Sequence, residues 1–77
     1  MTLRVAWDYA ALSALMELHP YEAMAVDRAV IRYAETRAGH VEWLPPYFRL
    51  HIGVFRVRFG VDCEMDAMNV LYLYRVR

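Results

Sequence analysis

Two adjacent runs with a period of two constrain this chain more than anything else in it. In Tyr47-Phe48-Arg49-Leu50-His51-Ile52, the apolar Phe48, Leu50 and Ile52 alternate with Tyr47, Arg49 and His51. After Gly53 and its neighbour the pattern resumes, with Phe55, Val57, Phe59 and Val61 in one phase and Arg56 and Arg58 in the other. Successive side chains of a strand point to opposite sides, so each run is a strand with one apolar face and one basic face. A short glycine-containing break between them reads as a tight turn, and the pair as an antiparallel hairpin covered on one side only.

The rest of the chain supplies the cover. Leu3 to Trp7 is short and apolar and reads as an opening strand, and Asp8 is placed to cap a following helix with its carboxylate. Between Tyr9 and Leu18, Leu12, Leu15 and Met16 recur at helical spacing, until His19-Pro20 breaks the run. Pro20 suits the first position of a second helix, where its missing N–H costs nothing. That helix is expected from about Tyr21 to Arg37, with Ala23, Val26, Val30, Tyr33 and Ala34 on one side and Ala38-Gly39 as its stop. His40 to Pro46 reads as a connector, because Pro45-Pro46 cannot continue a helix. Beyond the hairpin, Asp62 to Asn69 reads as an acidic turn. Val70 to Arg77 reads as a third strand, apolar on both faces until Arg75 and Arg77, as suits a central position. The fold class that follows is α+β: an N-terminal strand and a two-helix hairpin packed on one face of an antiparallel sheet with three C-terminal strands. No repeat, linker or low-complexity segment divides it, so residues 1–77 are expected to form a single domain.

A chain of 77 residues has little core to spare. Its 60% hydrophobic content is high for that size, which points to apolar surface that meets a partner. The zero net charge hides an asymmetry. Residues 1–46 hold four arginines and six acids, a balance of −2, whereas residues 47–77 hold five arginines and three acids, a balance of +2. Those three acids, Asp62, Glu64 and Asp66, share one turn, so the strands around it are purely basic. Every basic residue is arginine, whose planar guanidinium suits bidentate contacts with phosphate or carboxylate. A lone cysteine, Cys63, fits a reducing compartment, and a cytoplasmic location is expected. No run approaches the roughly 18 apolar residues of a membrane span, and the N-terminus lacks the apolar core of a signal peptide. The three histidines and Cys63 have no metal-ligand spacing, and neither a phosphate-cradling glycine loop nor a serine-nucleophile motif is present. Neither a cofactor nor a metal is expected.

The stretch from Tyr47 to Phe59, YFRLHIGVFRVRF, resembles the paired central strands of the RelE/ParE toxins of type II toxin–antitoxin systems. Val70 to Arg77 is similar to that family's last strand. Trp7, Ala11 and Leu15, together with Asp27 to Ala34, are similar to its helical hairpin. The resemblance implies a toxin neutralised by a cognate antitoxin whose segments wrap it, which would account for the apolar content. It further implies either a RelE-like endonuclease that cuts mRNA on the ribosome or a ParE-like inhibitor of DNA gyrase that does no chemistry. A non-toxic member that only binds its antitoxin is the third reading. Two departures stand out. Val54 replaces a polar residue usual in the hairpin turn, and the sequence ends at Arg77 where the family's last strand commonly continues into a basic or histidine-containing tail. In the nuclease branch that tail supplies residues used in cleavage. A reduced form, a truncated chain and a member that never cleaved RNA all fit this departure.

Metal-free RNA cleavage needs the 2′-hydroxyl deprotonated, the charge on the scissile phosphate stabilised and the leaving 5′-oxygen protonated. Arginines aimed at the phosphate serve the second need. Arg56 matches the family's core-strand arginine, and Arg49 holds a basic position on the preceding strand. His51 shares their face and is suited by type to move a proton near neutral pH. Arg49, His51 and Arg56 are therefore the candidate catalytic residues, with Arg58, Arg75 and Arg77 as candidate substrate-binding residues. Tyr47, Tyr72 and Tyr74 could stack on bases. Each reading has a plainer counterpart. Half-buried sheets commonly expose a solvated polar side, strand aromatics commonly pack, and His19 and His40 read as helix-end residues.

Overall fold

The computed structural model describes residues 1–76, and Arg77 lies outside the described residues. Strand β1 (Arg4–Trp7) leads into helices α1 (Tyr9–Glu17) and α2 (Pro20–Thr36). Four further strands follow: β2 (His40–Leu44), β3 (Tyr47–Ile52), β4 (Phe55–Asp62) and β5 (Ala67–Arg75). They form one five-stranded sheet in the order β1-β5-β4-β3-β2. From β2 to β5 each strand is antiparallel to the one before it, whereas β1 lies parallel to β5 at the edge. The sheet is therefore mixed rather than wholly antiparallel. Alternation assigns faces, not directions, so the sequence pattern could not separate the two.

The hairpin forms as its pattern requires. Ile52 pairs with Phe55 across the two-residue Gly53-Val54 loop, and Gly53 takes φ +57°, a left-handed conformation that costs an L side chain energy. Phe55, Val57, Phe59 and Leu50 are buried, with Phe48, Ile52 and Val61 packed beside them. These belong to the face that the helices cover. Strand β5 lies between β1 and β4, inside the sheet rather than at its edge. A bulge opposite Arg58/Phe59 leaves Leu71 without a cross-strand partner. As a result Val70 and Leu73 both point inward, while Tyr72 and Tyr74 are exposed.

Helix α2 presents Val26, Val30 and Ala34 to the sheet, and all three are buried. Tyr33 packs on Phe59 with ring centroids 5.1 Å apart. Pro20 stands in the first turn of α2, and His19 Nδ1 accepts from the Tyr21 N–H at 3.3 Å. The left-handed residue at the end of α2 is Arg37 (φ 64°) rather than Gly39. Its guanidinium donates to Ala34 O at 2.6 Å, which offsets the backbone cost by satisfying a terminal carbonyl. Asp8 is the N-cap of α1, but its side chain makes no capping bond. Helix α1 also turns a different face inward from the expected one. Ala11, Ala14 and Leu15 pack on the core, while Leu12 and Met16 are exposed. The helix is apolar nearly all round, so periodicity alone could not pick the buried side.

Three expected boundaries change. His40 to Leu44 is a strand, not a connector, and pairs with β3 from His40↔His51 to Leu44↔Tyr47 around a Pro45–Pro46 turn whose peptide bond is cis. The acidic turn is shorter than expected. Asp62 still belongs to β4, and β5 already begins at Ala67. In between, the Asp62 carboxylate accepts from the N–H groups of Glu64 and Met65 at 3.0 and 3.2 Å, a local bond that closes the turn.

Candidate functional site on the open sheet face

The helices cover one side of the sheet and leave the other bare. Strand pairing lines the residues of the bare side into two rows across four strands. One row is His40, His51, Arg56 and Tyr74; the other is Glu42, Arg49, Arg58 and Tyr72. Directly opposed side chains on neighbouring strands lie roughly 5 Å apart at Cβ, so each row is a line of neighbouring groups.

Glu42 is the junction. Its Oε1 accepts from Arg49 Nε at 3.2 Å and Nη2 at 3.0 Å, and it is also bonded to His51 Nε2. Arg49 Nη1 in turn donates to the Tyr74 hydroxyl at 3.3 Å. The His51 ring lies against that of His40, with centroids 4.2 Å apart. The hydrogen bond from His51, then that from Arg49, holds the Glu42 carboxyl below its ordinary pKa. Bonding to Tyr74 and Glu42 raises the Arg49 pKa further above its already high value. Glu42 is thus ionised and Arg49 charged throughout the neutral range.

The remaining candidates divide. Arg56 stands in the His51 row, yet its Nη1 donates to the carbonyls of Gly53 and Phe55, both at 2.8 Å, which draws the guanidinium toward the hairpin turn. Arg58 lies over the Tyr47 ring at 5.7 Å from its centroid and lines an open cleft of about 400 Å³ together with Tyr72, Leu73 and Tyr74. Arg75 is on the other side of the sheet. It bonds Glu22 on α2 at 2.8 Å and stacks over Phe55 at 4.7 Å, because it shares the inward phase of Leu73. Arg77 lies outside the described residues. The structure therefore assembles Arg49, His51, Arg56 and Arg58, and it sets Arg75 apart as a helix-to-sheet tie. Among the described residues no group of three His, Cys, Asp or Glu side chains converges as a metal site would require.

Glu42 and His40 are site residues that sequence reasoning missed. The signal was available: His40-Val41-Glu42-Trp43-Leu44 alternates, and two prolines before Tyr47 leave room for a hairpin loop.

No family model matches the sequence, and no curated protein is significantly similar to it in sequence. The backbone is more informative. The toxin–antitoxin complex RelBE2 from Mycobacterium tuberculosis matches at TM-score 0.78 and 20% identity, over 97% of this chain and 99% of that one. The archaeal RelE–RelB complex from Pyrococcus horikoshii matches at TM-score 0.79 and 17% identity, over 97% and 96%. The isolated E. coli RelE toxin matches at TM-score 0.80 and 12% identity, over 99% and 86%. The chain has the fold of the RelE toxins. Shared element order and sheet topology carry this likeness, since few side chains coincide at such identities. In this RelE-like chain the Glu42–Arg49–His51 cluster occupies the sheet face that the two helices leave bare. Among the described residues no helix is long and apolar enough to cross a membrane.

Proposed function

We propose that this chain is the toxin of a type II toxin–antitoxin module and that it inhibits translation by cutting mRNA on the ribosome. One observation supports the reading above the rest: a histidine fixed by a carboxylate sits among three arginines on the open face of a RelE fold. With His51 Nε2 donating to Glu42, Nδ1 is left as the acceptor, free to take the proton of a 2′-hydroxyl. The 2′-oxygen attacks the phosphorus, the bond to the 5′-oxygen breaks, and the departing oxygen takes a proton from water. Glu42 orients the imidazole but is a poor base itself, because the bonds that hold it also depress its pKa. The unengaged N–H groups of Arg49, Arg56 and Arg58 supply fixed positive charge where the phosphate gains negative charge.

The cognate antitoxin has a surface to bind. Tyr9, Leu12 and Met16 on α1 and Tyr21 and Met24 on α2 are exposed on the outer side of the helices, an apolar patch of the kind that meets a protein partner. A cytoplasmic setting follows from such a target and partner.

Induced expression tests the proposal in cells. Growth arrest is expected from the unaltered chain, with relief by His51→Ala and by coexpression of the protein encoded next to it. Arrest that persists undiminished in His51→Ala removes the nuclease reading. Loss of gyrase supercoiling in that variant would place the chain with the ParE type instead.

A further inference from the structure

Of the cleft's lining, only Arg58 has a part in the chemistry proposed above, and Tyr72 and Tyr74 stand exposed beside it. We infer that Tyr72 and Tyr74 form a stacking slot for a single unpaired nucleobase of RNA, with Arg58 at its base to hold the adjoining phosphate. The inference rests on the RNA reading of this face and adds the part of the substrate it would grip.

Three observations carry it. The first is spacing. Tyr72 and Tyr74 are two residues apart on one face of β5, which separates them by about 6.7 Å along the strand. That is close to two stacking intervals of about 3.4 Å, the rise between neighbouring bases, so the two side chains leave the strand at the separation of two rings with one base between them. The second is the space itself, an open cleft of about 400 Å³ lined by Arg58, Tyr72, Leu73 and Tyr74. Leu73 contributes only the floor, since its side chain is buried on the helix side. The third is the unequal anchoring of the walls. Tyr74 is tethered through its hydroxyl to Arg49, whereas Tyr72 is 53% exposed. A fixed wall and an adjustable wall suit a ligand that must slide in, and the tether joins the slot directly to the Glu42–His51 cluster.

Charge decides between occupants. Among the described residues of this face, Arg49, Arg56 and Arg58 stand against the carboxylate of Glu42. A flat, π-faced group carrying a phosphate complements such a site better than an apolar peptide does. Duplex RNA would not enter, because its bases are already stacked; the slot requires a splayed single strand.

The test measures binding by fluorescence anisotropy, with a labelled 2′-O-methyl single-stranded oligonucleotide that cannot be cut. Its comparison ligand is the same sugar–phosphate chain without bases. The unaltered protein should prefer the base-bearing strand by about 5- to 150-fold, the range of one aromatic stack. Tyr72→Ala should erase that preference while still binding the abasic chain as before, and Tyr72→Phe should keep it. Unchanged thermal unfolding of both variants would confirm that they fold. Equal affinity of the unaltered protein for both strands overturns the slot but leaves phosphate binding standing. Failure to bind either strand overturns the slot together with the RNA reading. A preference that survives in Tyr72→Ala, with weakened antitoxin binding, would make this a protein contact instead.

Discussion

Glu42 holds two basic side chains with one oxygen, and its ionisation therefore ties the site to pH. Its folded pKa is depressed, first by the His51 hydrogen bond and then by Arg49. A group of this kind stabilises the fold at pH values above its unfolded pKa of about 4.3, and that contribution is lost as pH falls through the lower folded value. Glu22 is depressed in the same direction, chiefly by its hydrogen bond to Arg75. The melting temperature of the unaltered chain should thus fall below about pH 4.3, and Glu42→Gln should show a shallower decline, with Glu22→Gln removing a further part. Parallel curves for the unaltered chain and Glu42→Gln would show that the carboxylate is not held as described. At this scale the sequence was informative where alternation applied: it put Arg49, His51, Arg56 and Arg58 on one face, and there they are. It could not show that Arg56 folds back on the turn carbonyls, because a strand's period fixes the direction of Cβ and not the course of a long side chain. Nor could it show that Arg75 departs from the others, since the bulge in β5 shifts the phase of that strand.

The β3–β4 hairpin is the element on which the site is built, and Gly53 sets its register. At φ +57° with nothing within 4 Å of an added Cβ, the glycine is needed for its backbone conformation alone, not for space. Gly53→Ala should cost about 1–2 kcal/mol, read as a lower urea midpoint with an unchanged slope; an unchanged midpoint would contradict this account of the turn. The β2–β3 hairpin shows where local reading stops. Two adjacent prolines read as the end of a connector, although proline bars a helix more firmly than it bars the turn of an edge hairpin. With β2 unread, Glu42 and His40 had no strand to place them on the open face. The helices show a related limit. Helix α2 is polar on one side, and its buried stripe of Val26, Val30 and Ala34 was legible. Helix α1 is apolar on both sides, so its outward Leu12 and Met16 could not be told from its inward Ala11 and Leu15.

Across the whole molecule, one buried cluster joins both helices to all three central strands, with Phe59 at its middle. Phe59 is fully buried, stacks on Phe48 at 5.4 Å and packs against the tilted ring of Tyr33. Truncating a buried phenylalanine costs about 3–5 kcal/mol, a large share of the roughly 5–15 kcal/mol that holds a small domain folded. Phe59→Ala should lower the melting temperature by more than about 10 °C, and a circular-dichroism melt within a few degrees of the unaltered chain would contradict the packing described. That cluster holds together the sheet on whose open face four strands align their arginines, histidines and tyrosines. The most direct measurement is cleavage of a defined mRNA on translating ribosomes, with the new 5′ ends mapped to the nucleotide. Discrete cuts are expected from the unaltered protein, with a loss of about a hundredfold or more in rate for Arg49→Ala, which removes a preorganised donor at the phosphate. Intact mRNA, or the same cuts at an undiminished rate from Arg49→Ala, would contradict the proposed cleavage.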